Sequence, residues 1–243
     1  MKITQFVLPL VALIVGYSIS PSYSQDGIFC DGFECAAGDP ELEARIAALE
    51  ALLANVSRGV DPNTSQDTLT FTNMNVQIVN GYEFTYAPPS GTGNLIIGYN
   101  ELRPEGNDRS GSHMLVIGSQ NNYTANSLGG MVVGELNETS FFYASVSGGT
   151  SNIASGVSAS VSGGSGNTAS GESTSVSGGQ NNTASADWAS VSGGISNTAS
   201  GVQSSVSGGD ANIASGINAS VTGGQEKTAA ANNCIVGDNG IDC

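Results

Sequence analysis

The chain has 243 residues, 21 of them acidic and 6 basic, for a formal net charge of −15. Phosphate backbones and anionic bilayers recruit Lys and Arg, so this balance excludes nucleic acid and anionic membrane as partners. The length suits one large domain.

The chain opens with Lys2, an apolar run from Phe6 to Tyr17, and Ser22 and Ser24 framing Tyr23. That order predicts a secretory signal peptide over 1–24, cleaved after Ser24 to leave roughly 220 residues, and a secreted or cell-surface location. Read as an anchor, the run is too short to span comfortably, and no later run is long enough. No membrane span is therefore expected in the mature chain. In an exported protein the four cysteines read as two local disulfides. Cys30 pairs with Cys35 in an N-terminal segment (25–38), and Cys234 with Cys243 in a C-terminal cap (232–243). A zinc site would need nearby His and C-x2-C spacing, which "FCDGFEC" and "CIVGDNGIDC" lack. Each bridge would staple one end of the chain.

Residues 39–58 read as a short coiled-coil helix. Leu42, Ile46, Leu49, Leu53 and Val56 alternate spacings of four and three, with Asp39-Pro40 as the start and Gly59 as the stop. About two heptads are too short to stand alone, which points to a self-associating stalk. A β-rich connector follows (59–93), in which "TLTFTNMNVQIVNG" alternates well enough for a strand or two and Pro88-Pro89 marks a break.

From residue 94 a repeat takes over. "NLIIG", "MLVIG" and "GMVVG" each end an apolar triplet with glycine. Aligning Leu95, Leu115 and Met131 with Val146 gives spacings of twenty, sixteen and fifteen across an irregular region, 94–144. In that alignment Ile96, Val116 and Val132 stand where Ser147 stands, so these coils are apolar on both faces and should pack on a neighbouring subunit or on the N-terminal segment. "ELRPEGNDRSGSH" (101–113) reads as an exposed, self-paired loop inserted into one turn.

Over 145–231 the period is strictly fifteen, with Val146, Val161, Val176, Val191, Val206 and Val221 in one column. Units this small stack as single coils of a β-solenoid. Strand alternation places Val191 and Gly193 inside with Ser190 and Ser192 outside; Asn197 and Ala199 point in, Thr198 and Ser200 out. Gly-Gly and Ser-Gly make the corners, where positive φ is needed. One valine per coil is a thin core, which argues for a dimer or trimer that buries further faces.

The "SVSGG…NTASG" pattern, with "LVIG" and "MVVG" upstream, resembles the head repeats of trimeric autotransporter adhesins, the YadA-like head, whose coils read approximately S-V-A-I-G followed by A-S-G. The resemblance covers residues 94–231. It implies a left-handed β-roll, a homotrimer, and a role in surface attachment. Residues 232–243 carry no membrane-anchor pattern, so the chain is expected to be freely secreted or held at the surface through another component.

Residues able to do chemistry are few. His113 is the single histidine, and one histidine among many serines supports no Ser-His-Asp triad. Glu101, Glu105 and Asp108 share the inserted loop with Arg103 and Arg109, which reads as self-neutralised. "SGGDAN" and "VGDNG" resemble calcium-binding turns, but Asp does not recur from coil to coil. The expectation is a non-enzyme with no catalytic residue, cofactor or metal. Two dipeptides per coil vary at the corners, among them Asp187-Trp188, where Ala186 also replaces the usual glycine. Trp188, the one tryptophan, is a contact residue or packs across a subunit boundary.

The leading reading is an adhesin-like structural protein acting by multivalent attachment to a host, matrix or cell-surface ligand. The alternative is an ice-binding solenoid, using the outward rows Ser145 to Ser220 and Ser147 to Thr222, although threonine is nearly absent from both. A carbohydrate-processing β-helix enzyme would need clustered acids on larger coils.

Overall fold

The computed structural model describes residues 40–237 and 240–243, in two units divided after Gln77. In the first, Pro40–Leu53 forms helix α1. Its Ala- and Leu-rich sequence favours helix, Pro40 suits the first turn, and Glu41 and Glu43 complement the positive end of the helix dipole. The helix stops three residues short of the expected seam. Val56 and Gly59 belong instead to strand β1 (Val56–Val60), which pairs antiparallel with β2 (Asp67–Phe71) in the register Val56↔Phe71. Pairing with β2 outcompetes another helical turn because β-branched Val56 and Gly59 are poor helix formers. No residue of α1 is buried, and Leu49 is half exposed.

The second unit, Ile78–Cys243, is a β-solenoid. Each regular coil contributes two short strands, such as Ser190–Val191 and Thr198–Ala199, to two parallel sheets. Successive coils stack fifteen residues apart and strictly in register: Val191 pairs with Val206, and Ala199 with Ala214. Among the described residues the first sheet has eleven strands, from Leu95–Ile97 to Gly240–Asp242, and the second has eight, from Asn122–Tyr123 to Thr228–Ala229. The stack ends where Gly240–Asp242 turns back antiparallel on Ile235–Gly237, closed by the Cys234–Cys243 disulfide.

Five positions of each coil point inward. In the coil from Ala189 to Gln203 these are Ala189, Val191, Asn197, Ala199 and Gly201. The valine column runs unbroken from Val116 and Val132 through Val146, Val161, Val176, Val191, Val206 and Val221 to Val236, each at most 3% exposed. The alanine slots are small because the two sheets lie close together. Where Thr174 takes the slot of Ala189, its hydroxyl donates to the Gly171 carbonyl at 2.8 Å.

Beside this column runs an asparagine ladder. The side-chain oxygens of Asn121, Asn137, Asn152, Asn167, Asn182 and Asn197 each accept the backbone N–H of the next asparagine at 2.8–3.0 Å. Asn212 ends the series by accepting the amide of Lys227. Each amide nitrogen donates twice, Asn182 for instance to the Gly178 and Gly194 carbonyls at 2.9 Å. Every polar atom of these buried side chains is thereby satisfied, which an apolar residue in the same slot could not do for the turning backbone.

The upstream register differs from the sequence alignment by one residue. Leu95, Leu115 and Met131 pair in the column of Ser145, while Ile96, Val116 and Val132 pair in the column of Val146. Burial decides the matter: Val116 and Val132 are buried at 1% and 0% exposure, as the valine column requires. The outward apolar residues are therefore Leu95, Ile97, Leu115, Ile117, Met131 and Val133.

The glycines also act differently from the expectation. Gly193 is not packed inside, since a Cβ there would meet nothing within 4 Å. Gly194, with φ of 88°, holds the left-handed corner. Gly201 does not adopt positive φ; it is glycine because a Cβ would run into the backbone of Gly216 in the next coil. The left-handed residue of that second corner is Gln203, at φ 59°.

Candidate functional site

The outer surface of the solenoid offers two sheet faces and two corner rows. On the first face, the columns of Ser145 and Ser147 stand outside the valines, and neighbouring hydroxyls come close enough to bond, as Ser205 and Ser220 do at 3.1 Å. Toward the N-terminal coils both columns turn apolar. Leu95 and Ile97 are about half exposed, and Leu115, Ile117, Met131 and Val133 are partly so. One face thus changes from hydroxyl to hydrocarbon along its length.

The second face carries the outward columns to which Thr198 and Ser200 belong, as strand alternation predicts. Thr168, Thr183 and Thr198 stack in register with Ile153 and Ile213, all outward of the buried alanines, beside the column of Ser155, Ser170, Ser185, Ser200 and Ser215. The signal is the "NTASG" segment, whose outward serine repeats from Ser155 to Ser215 while its outward threonine gives way to Ile153 and Ile213 in two coils.

Both variable dipeptides end in a left-handed residue. At the first corner these are Ser151, Gly166, Asn181, Ser196, Ala211 and Glu226. At the second they are Ser158, Ser173, Trp188, Gln203 and Asn218, preceded upstream by His113, Gly129 and Tyr143. Trp188 is 53% exposed at φ 59°, a conformation that favours glycine or asparagine. Its backbone N–H donates to the Glu172 carbonyl, which fixes the corner, and the Asp187 carboxylate accepts the Glu172 N–H across the same rung. The indole stands in one row with Tyr143, three coils upstream. A side-chain hydrogen bond with Tyr86 holds the Tyr143 pKa above the ordinary 10.0, and both rings remain exposed.

His113 occupies the upstream end of that row, and among the described residues its buried Nδ1 has no partner, carboxylate or serine hydroxyl included. Among the described residues the acids of the inserted loop form no ion pair with its arginines. Arg103 reaches into the coils, donating from Nε to the Gln120 carbonyl at 2.7 Å, from Nη2 to the Leu136 and Asn137 carbonyls at 2.6 Å, and from Nη1 to Glu138 at 3.1 Å. Arg109 donates to the Asn121, Asn100 and Glu101 carbonyls. Several converging carbonyls, of which the Asn137 carbonyl also accepts the Asn122 N–H, hold the two guanidiniums better than Glu101 or Glu105 would in open water.

Among the described residues, no group of three His, Cys, Asp or Glu is placed to hold a metal ion, and no helix is long and apolar enough to cross a membrane. Cys30, Cys35 and the segment 1–38 lie outside the described residues. No family model matches the chain, and no curated protein matches it.

Proposed function

We propose that this protein is an exported, non-enzymatic, adhesin-like solenoid that assembles as a homotrimer and attaches through many weak contacts along its repeats. The observation that carries the reading is the outward column pair Leu95, Leu115, Met131 and Ile97, Ile117, Val133. A contiguous hydrocarbon stripe on an otherwise hydroxylated face favours a protein–protein contact. It lies at the N-terminal coils of the solenoid, and a core of one valine, small residues and an asparagine per coil gains most from burying a second face. The resemblance of the repeats to YadA-like heads supports the trimer and the attachment role, and the signal-like residues 1–24 support export to the surface or medium. Identical coils would give avidity from contacts that are individually weak.

Size-exclusion chromatography with light scattering on the chain lacking residues 1–24 tests this. A trimeric mass is expected, falling when Ile97 and Ile117 are both changed to serine or when Glu41 to Val56 is deleted. A monomeric mass for the parent chain overturns the reading. Retention on cell or matrix surfaces should fall in step with the mass.

One observation favours the ice-binding alternative: the Thr168, Thr183, Thr198 and Ser170, Ser185, Ser200 columns set hydroxyls and methyl groups on a regular lattice. Coils repeat about 4.8 Å apart and alternate residues about 6.6 Å apart. Thermal hysteresis that disappears in the Thr183→Ala, Thr198→Ala variant would establish it; no hysteresis at high protein concentration removes it.

A further inference from the structure

Arg103 shows how one edge of the solenoid receives a cation. Its guanidinium donates to the carbonyls of Gln120 and Leu136, which are the left-handed residues of the first corner in two successive coils, at φ 55° and 57°. Neither carbonyl accepts a backbone N–H among the described residues, because the left-handed turn swings it out of the ladder. One planar group thus bridges two rungs, with Glu138 supplying a carboxylate alongside.

The same corner continues through the regular coils. Glu135 bridges in register to Thr150, and the series runs on through Ser165, Gln180, Ile195 and Asp210 to Gln225. The residue after each bridge position (Ser151, Gly166, Asn181, Ser196, Ala211, Glu226) repeats a φ between 53° and 66°. Equal backbone conformation in a translationally stacked solenoid aims their carbonyls as Leu136 aims its own. Among the described residues none of the six accepts a hydrogen bond. The result is a row of free carbonyl oxygens about 4.8 Å apart, with Glu135 and Glu138 at one end and Asp210 and Glu226 at the other.

We propose that this corner ladder is a docking edge for an arginine-bearing segment of a partner polypeptide, each guanidinium bridging neighbouring coils as Arg103 does. A guanidinium presents a rigid fork that matches two acceptors on adjacent rungs, whereas an ammonium is a compact, strongly hydrated point charge. Each contact is exposed and weak, so binding requires several rungs at once. Because the acceptors belong to the main chain, the side chains at this corner can differ in every coil without erasing the edge. The proposal is independent of the oligomeric state and of the apolar stripe.

The test is a calorimetric titration of the full exported chain with hexa-arginine and with hexa-lysine at one ionic strength, accompanied by amide NMR shifts. Arginine should bind at least ten-fold more tightly. The shifts should concentrate on Asn152, Asn167, Asn182, Asn197 and Asn212, whose amides adjoin the ladder carbonyls. Equal affinity for the two peptides, or shifts centred on Glu101, Glu105 or the acids of α1, overturns the proposal. The Asp210→Asn, Glu226→Gln variant keeps every carbonyl. It should bind both peptides several-fold more weakly with the arginine preference intact, and loss of that preference would equally refute a main-chain site.

Discussion

The side-chain oxygen of Asn182 accepts the backbone N–H of Asn197, fifteen residues on, at 2.9 Å, and both residues are fully buried. The same side chain donates to the Gly178 carbonyl of its own coil and the Gly194 carbonyl of the next. Three chain segments that would otherwise carry unmet polar groups at a buried bend meet on one amide. Replacing it strands the Asn197 N–H and the Gly178 carbonyl, whereas the Gly194 carbonyl keeps the Gln180 N–H. Asn182→Ala should therefore cost about 2–4 kcal/mol, read by urea denaturation, while Gln180→Ala at the exposed corner should cost almost nothing. A loss below about 0.5 kcal/mol at Asn182 would show that water or relaxation replaces the ladder.

The paired glycines are unequal. A Cβ on Gly164, at φ 85°, would collide with the Gly179 carbonyl and crowd Asn167 Nδ2 at 2.7 Å; one on Gly163 would meet nothing within 4 Å. Gly164→Ala should lower stability by about 3 kcal/mol or more, combining left-handed strain with a collision against fixed backbone. Gly163→Ala should lie within about 0.5 kcal/mol of the parent. Equal effects in a thermal melt would contradict this assignment.

The strict period made the solenoid, the valine column and the inward Asn197 and Ala199 legible, because alternation along a strand is a local property. Three things were not legible. Upstream, "LVI" and "MVV" offer three apolar residues in a row, and only burial against neighbouring coils selects Val116 and Val132 as the inward ones. At the corners, left-handed φ falls on Trp188, Gln203 and Ala211, residues with no preference for it, because stacking against the preceding coil imposes the turn. The long arms of Arg103 and Arg109 pair by reach across coils, which spacing along the chain does not encode. The outward columns of Thr198 and Ser200 were legible too, because the alternation that turns Asn197 and Ala199 inward turns their neighbours out.

In the first unit, Asp61 organises the turn between β1 and β2. Its carboxylate accepts the N–H groups of Thr64 and Asn63 at 2.9 and 2.7 Å, and these bonds hold its pKa below the ordinary 3.8. A carboxyl whose folded pKa is depressed stabilises the fold above its unfolded pKa, and that contribution is lost as pH falls through the folded value. The Asp61 carboxyl should titrate by NMR below 3.8. The amide resonances of Asn63 and Thr64 should shift with the same midpoint. A midpoint at or above the ordinary value would mean that the turn does not persist in solution.

At the other end, Cys243 is bonded to buried Cys234 and draws the last strand across the edge of the stack. Ser220 and Thr222 donate their N–H groups to the Cys234 and Val236 carbonyls, so this cap protects the final regular coil. Cys243→Ser should lower the local opening free energy by about 2–3 kcal/mol, the entropy of a loop this short. Amide exchange should accelerate at Ser220 and Thr222 and stay unchanged at Ser160 and Ser175. Acceleration spread along all coils would instead mean that the solenoid unfolds as one cooperative unit from its capped end.

Trp188 separates packing from contact. Its left-handed backbone costs a residue with a Cβ roughly 1–2 kcal/mol, and asparagine bears that conformation better. If the half-exposed indole makes no compensating contact within its own chain, Trp188→Asn should raise stability by about 0.5–1 kcal/mol. A residue kept in a strained corner at a net loss to its own chain acts on something outside it, so the same variant should reduce either the assembled mass or surface retention. A fall in stability of more than about 1 kcal/mol, with mass and retention unchanged, would place the indole among the packing residues. The corner rows would then carry their contacts through the main chain.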